Sequence, residues 1–542
     1  MDPNAEHFET IIVGAGSAGC LLANRLTADP RNRVLLLEAG GSDRWIWLHI
    51  PVGYAYTIGN PLFDWCFKTE PEPQMNGRSI PIPRGKVLGG SSAINGMFQV
   101  RGQAADFDHW RQLGLPGWGW DDVLPYFKKH EDYEGGASDV HGAGGEVRVE
   151  SSRIKWPALD VIRRAIEEDG LRWIGDLNTG DNEGIGPVHF TQKRGFRWSA
   201  ARAFLNPARK RANLRIETEA LTQRILFDGK RAIGVEYKQG LTTKVALANE
   251  VIVSAGAIGT PQLLMLSGIG PAAHLRDHGI EVVLDKPGVG GNLQDHLQFN
   301  MHWKVEGLET LNNRDTPLGR VGFLLEYLAF QTGPLAMGPT SLAFFTRSSP
   351  DRDRANITYN VLPFARQMTE GLNRAFYPFS AITMSVYDLR PTSRGTVRLK
   401  GNDAAIYPEL RFNYLSTDED RRVAADSVRV SRRVMGRPAL KAHRPVEILP
   451  GPDARDDDDA SLIDAFARYG TTIFHPVGTA KMGLPSDASA VVDDRLRVIG
   501  LEGLRVIDAS VMPTVTSGNT NAPTLMIAEK GAAMILEDAR RG

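Results

Sequence analysis

Cysteine is nearly absent from this 542-residue chain, which holds only Cys20 and Cys66. Two thiols build neither a disulfide framework nor a thiolate metal cluster, and a reducing compartment fits. A surplus of either charge is missing too, with 63 Lys and Arg against 64 Asp and Glu. Such a balance gives no electrostatic footing for nucleic acid or for an anionic membrane surface. No apolar run approaches the roughly 18 residues that a spanning helix needs. The opening MDPNAEHFET is polar and acidic, without the basic start and apolar stretch of an export signal. These absences predict a cytoplasmic protein with no transmembrane segment. Repeats are lacking as well, and the only biased segment is the acidic run at 456–459, which is expected to cap and open an exposed helix.

What is present is an ordinary globular composition in a chain too long for one core, so two domains or large insertions are expected. The stretch ETIIVGAGSAGCLLANRL reads as a strand, a glycine turn and a helix, and VLLLEAG follows as a second buried strand ending at Glu38. From about 40 to 155 the chain is rich in Gly, Pro and Trp and reads as extended segments and loops. Strand-like runs at LRIETEA, ILFDG, AIGVEY and EVIVSAG suggest that later chain completes the first sheet. Mixed signals from about 306 to 460, with the alternating TSRGTVRLK, suggest a second unit. The chain then returns to short strand and helix signals, LRVIDAS and PTLMIAEKGAAMILEDA.

The glycine turn has a physical logic. Gly14 permits the tight turn, Gly16 lets the backbone approach a pyrophosphate, and Gly19 lets the helix pack closely on the sheet. Ser17 and Ala18 open the helix, whose free N–H groups and partial positive charge suit phosphates. Glu38, followed by Ala39, stands where a carboxylate would meet ribose hydroxyls. These residues predict a bound dinucleotide without separating FAD from NAD. A second cluster, Gly89-Gly90-Ser91-Ser92-Ala93-Ile94-Asn95-Gly96, suits a backbone lying against a flat or anionic ligand. Near the end come Phe474-His475-Pro476, then Asp508-Ala509-Ser510, then Gly518-Asn519-Thr520-Asn521-Ala522-Pro523. Pro523 fits the first turn of the final helix. Each of these three segments, taken alone, suits a purely structural role.

Together, IIVGAGSAG with LLLEAG, GKVLGGSSAIN, SAGAIGTPQLLMLSGIGP, GVGGNLQDH, HPVGTAKMG and GLRVIDASVMPTVTSGNTNAPTLMIAEK resemble the glucose–methanol–choline (GMC) oxidoreductases over essentially the whole chain. The resemblance implies an α/β protein: a Rossmann-like FAD-binding domain built from discontinuous segments (1–155, 206–305 and 462–542) and an α+β substrate-binding domain (156–205 and 306–461). It implies Gly14, Gly16, Gly19 and Glu38 at the ADP half. Gly89, Ser91, Asn95 and Gly96 should lie along the diphosphate and flavin, with Asp508, Ala509, Asn521 and Pro523 near the ribityl chain and pyrimidine edge. The chain around Thr222 should meet the adenine through its backbone. His475 matches the family's base, and Asn519 its second active-site position, which is His or Asn in other members. Some relatives attach FAD through a histidine where this chain has Ile94, so non-covalent FAD is expected.

The implied activity is oxidation of a small primary alcohol to the aldehyde, in the manner of the choline dehydrogenase and alcohol oxidase branches, with oxygen or a quinone-type acceptor reoxidising the flavin. Two alternatives stand beside it: a cyanohydrin-type lyase holding FAD as scaffold, and a flavin-binding protein without catalysis. The sequence leaves open the alcohol, the acceptor, the residues that line the pocket and whether the chain forms an oligomer. His274 and His278 have helical metal-pair spacing, but no third ligand is suggested.

Overall fold

The computed structural model describes residues 5–367 and 375–541. Its first sheet begins with Glu6–Val13, whose Ile11, Ile12 and Val13 are buried, and Val34–Leu37, buried at every position. Strands buried on both faces belong in a parallel sheet covered by helices, and this one is built so. In order across the sheet lie Leu214–Glu217, Val34–Leu37, Glu6–Val13, Thr242–Val253, Arg231–Gln239 and Ala220–Asp228. Leu504–Val506 pairs in parallel with Thr242–Val253. The first four strands run parallel, and the last two turn back as an antiparallel meander. One sheet thus gathers chain from residues 6, 34, 214–253 and 504, and the final helix Asn521–Arg541 packs on Ser17–Leu26.

The second sheet is antiparallel. Its order is Val446–Leu449, Leu297–Lys304, Ala381–Asp388, Ile357–Leu362, Leu342–Thr346 and Gly184–Pro187, with Thr471–Thr472 also paired to Leu297–Lys304. The amphipathic helix Asp418–Met435 covers one face through Val423, Val428 and Val434. Leu297–Lys304 lies in this sheet, ahead of the residue-306 start expected from composition, because apolar alternation alone does not say which sheet a strand joins. Within 156–205, Gly184–Pro187 joins the second sheet, whereas Ala201–Leu205 packs on the Ser17–Leu26 helix.

The region from 40 to 155 is less extended than its composition suggests. It contains the helices Ala104–Gln112 and Trp120–His130, which meet through Phe107, Trp110 and Phe127. Both are short and flanked by glycine turns, and Pro125 interrupts the second, so a helical period is hard to see in the sequence. Trp110 and Trp118 are fully buried there. The helix predicted after the acidic run is Asp459–Tyr469, and Asp458 caps it by accepting from the Ala460 and Ser461 N–H groups. No helix among the described residues is long and apolar enough to cross a membrane.

Candidate active site

Where the first strand ends, Gly14 takes φ +101, and a side chain there would lie 2.5 Å from the Ser254 carbonyl oxygen. Gly19 sits against the turn itself: an added Cβ would come within 1.9 Å of the Gly14 oxygen. Gly16 differs, since nothing lies within 4 Å of its would-be Cβ. It is the N-cap of Ser17–Leu26 and makes no side-chain cap bond, so the first-turn N–H groups open onto free space. The second glycine cluster closes over this turn. Gly89 N–H donates to the Ala15 carbonyl at 2.8 Å, and a Cβ on Gly90 would lie 2.7 Å from Gly16 Cα.

Both turns border a cavity of about 440 Å³, within the size range of ligand clefts. Of the residues singled out from sequence, Gly14, Gly16, Ser17, Ala18, Glu38, Ala39, Ser91, Asn95, Gly96, Thr222, His475, Asp508, Ala509, Asn519 and Asn521 all line it. Gly19, Gly89 and Pro523 do not: the first two shape the turns behind the wall, and Pro523 is buried in the first turn of the final helix. Ser17 Oγ donates to Asn521 Oδ1 at 2.7 Å, which ties the N-termini of two helices together at the cavity wall. Outside it, His274 Nε2 accepts from the Leu399 N–H at 3.0 Å.

At one end Glu38 accepts from the Ala15 N–H (2.9 Å) and the Gly40 N–H (2.8 Å). Burial pushes its carboxyl up to about 7, although both bonds oppose the shift. Thr222 Oγ1 is buried there without a partner in the protein. Asp508 is fully engaged: it accepts from Gly256 N–H, Thr260 Oγ1 and Ser510 N–H at 2.8, 2.6 and 2.8 Å. An open helix N-terminus, an orphaned hydroxyl and a carboxylate with lone pairs to spare fit the pyrophosphate, adenine and ribose of a dinucleotide.

At the other end stands His475, held by a chain of bonds. Its backbone N–H donates to Asp295 Oδ1 at 2.7 Å, while Thr472 Oγ1 and Tyr414 Oη donate to Asp295 Oδ2, each at 2.5 Å. Phe474, at φ +72, turns the chain so that His475 faces the cavity, and Arg84 donates to the Phe474 carbonyl at 2.6 Å. The side-chain bonds decide where the protons sit. His296 Nε2 lies 3.2 Å from the Leu389 carbonyl, which can only accept, so Nε2 carries hydrogen. Burial pushes His296 down to about 4, so at neutral pH its Nδ1 is a bare lone pair. His475 Nδ1, 2.9 Å away, must then donate to it. Burial, with His296 and Arg84 adding to it, holds His475 well below its ordinary range. A neutral ring with hydrogen on Nδ1 leaves Nε2 unprotonated, and that atom accepts from the Asn519 amide at 2.9 Å.

Sequence reading missed His296 and Asp295. Both end the motif GVGGNLQDH, yet they lie 179 and 180 residues from His475, and only the fold joins them.

A family model described as GMC oxidoreductase matches residues 8–298, and a second with the same description matches 391–528. The chain is 41% identical over 528 residues to an oxygen-dependent choline dehydrogenase of Brucella melitensis, across 97% of this chain and 95% of that one. It is 42% identical over 539 residues to the mitochondrial choline dehydrogenase of Homo sapiens, across 98% and 90%. Its fold matches pyridoxine 4-oxidase from Mesorbium loti with a TM-score of 0.87 at 31% identity, across 98% and 99%. Each likeness covers nine-tenths or more of both chains, and the last shows that the overall fold is shared.

Proposed function

The chain belongs to the GMC oxidoreductase family, and from that premise we propose that it oxidises a primary alcohol to the aldehyde with His475 as the base and Asn519 beside it. It is an FAD-dependent alcohol oxidoreductase, with a Rossmann-type FAD-binding unit and a substrate-binding unit. Bound FAD supplies a ring system able to accept a hydride from a carbinol carbon. Ile94, which lines the cavity, offers no nucleophile, and this supports non-covalent attachment.

The observation that carries the reading is the unprotonated His475 Nε2 at the cavity wall, bonded to the Asn519 amide and kept bare of hydrogen by the bond from Nδ1 to His296. An alcohol gives up hydride poorly unless its hydroxyl proton leaves too. A base positioned to take that proton contributes roughly 10²–10⁴ in rate. When an alcohol oxygen enters between the two side chains, Asn519 exchanges its bond to Nε2 for one to that oxygen. Nε2 then takes the hydroxyl proton, and the Asn519 amide, which cannot accept it, steadies the alkoxide. The Leu389 carbonyl and His296 keep the ring from turning, so the proton always arrives at Nε2.

The test is anaerobic: the FAD-loaded protein is mixed with a panel of primary alcohols and its visible absorbance followed. At least one alcohol should bleach the flavin and yield the aldehyde, and air admitted afterwards should show whether oxygen serves as acceptor. Flavin that stays oxidised with every alcohol, while a cyanohydrin is cleaved, would overturn the proposal.

A further inference from the structure

Resting on the alcohol-oxidising reading above, we infer that the substrate is an uncharged primary alcohol with a second hydrogen-bonding group remote from the carbinol carbon, that Gln298 sets this choice, and that a quaternary ammonium alcohol is disfavoured. The choline dehydrogenase relatives, by contrast, are named for a quaternary ammonium alcohol.

Two carboxylates line the cavity among the described residues, Glu38 and Asp508. Neither faces the base: Glu38 is bonded to the first glycine turn, and all three bonds to Asp508 come from residues 256, 260 and 510. Asp295, the acid nearest His475, is absent from the wall, and its oxygens are taken by Thr472, Tyr414 and the His475 N–H.

The second sheet offers the base end a neutral polar face instead. Gln298, Ser385 and Asn360 line the cavity from three adjacent strands. Asn300 pairs with Ser385, and Ser385 with Asn360, which sets these side chains on one face, with Gln298 two residues from Asn300. Gln298 Nε2 donates to Asn300 Oδ1 at 2.6 Å and also to Ser385 Oγ. With both amide hydrogens used, the Gln298 amide is locked, and its Oε1 is left to accept from a ligand.

Among the described residues, the charged side chain at this end has the wrong sign for a cation. The half-buried Arg84 guanidinium lines the cavity and donates to carbonyls, those of Phe474 and Pro83. Trp65, the strongest aromatic platform in the wall, already carries Lys86 Nζ at 4.9 Å from its ring centre. A trimethylammonium group would leave water with no carboxylate among the described residues to meet it and a guanidinium nearby. A neutral hydroxyl would find an acceptor held ready.

The experiment uses the holoenzyme and two matched pairs, each followed by anaerobic flavin reduction or, where reduction is slow, by competition against the fastest alcohol. Choline is compared with 3,3-dimethylbutan-1-ol, in which carbon replaces the charged nitrogen. 3-(Hydroxymethyl)benzyl alcohol is compared with 3-ethylbenzyl alcohol, in which methyl replaces the second hydroxyl. The neutral isostere should outperform choline, and the diol its ethyl analogue, each by about tenfold or more. Gln298→Glu should reverse the first preference, and Gln298→Leu should bring the second toward parity, both with FAD content unchanged. Wild-type protein that prefers choline to its isostere, or is indifferent to the second hydroxyl, overturns the inference and leaves alcohol oxidation standing. Flavin that no alcohol bleaches overturns the underlying reading of the site.

Discussion

At the residue scale, the proposed proton transfer depends on which nitrogen of His475 carries hydrogen. His296→Ala removes the acceptor for Nδ1–H and lets the ring turn or change tautomer. Flavin reduction by alcohol should then slow about tenfold to a hundredfold, with FAD still bound. His296→Gln, whose carbonyl can accept the same bond, should recover part of the loss. Stopped-flow reduction of the two variants checks this, and equal rates in both would argue against a tautomer effect. The pH profile follows from burial. Because His475 is held well below its ordinary value, the neutral base persists as pH falls past 6.5. The reduction rate should therefore show no acid limb near 6.5, and should decline only further down. That His475 and Asn519 belong to one site was expected from their motifs, and the fold brings them together at the cavity wall. His296 was not legible in the sequence, because its part is defined by one bond across the fold.

At the element scale, the contact between the two glycine turns shapes the cofactor end. Gly90→Ala adds a methyl that meets Gly16 Cα at 2.7 Å, at a position with φ +51. The folded variant should purify with much less flavin, read as the ratio of 450 nm to 280 nm absorbance. A native ratio would show that the turns have room to separate. The sequence displayed the strand, turn and helix around Gly14 to Gly19 plainly, since the pattern is local. It did not show that Gly89 and Gly90 lie on that turn, nor that two helices fill part of 40–155, where short aromatic-rich segments hide their period. Another element end makes a stability prediction. Asp388 closes the strand Ala381–Asp388; burial pushes its carboxyl up to about 7, and its Oδ2 has no partner. A carboxyl whose folded pKa is raised stabilises below its unfolded value, and that stability is lost as pH rises through 7. Asp388→Asn should thus gain on wild type between pH 6 and pH 8, by about 1 kcal/mol. Denaturant melts at the two pH values measure it, and a gap that narrows would contradict the sign.

At the scale of the whole molecule, the cavity exists because the chain leaves the first sheet and returns to it. Residues 6–37 and 214–253 build the dinucleotide end, the second sheet supplies the polar face with Gln298, and 471–475 passes from that sheet to the base. Alternation and turn residues revealed that two units exist. They could not assign Leu297–Lys304, because its alternation marks which face is buried and not which sheet the strand joins. The same junction explains why the proposed base lies so deep: His475 is 6% exposed. The most direct test of the whole account is anaerobic reduction of FAD-loaded His475→Ala by the best alcohol. The account predicts that FAD stays bound while reduction slows by about 10² or more; reduction at the native rate would contradict it.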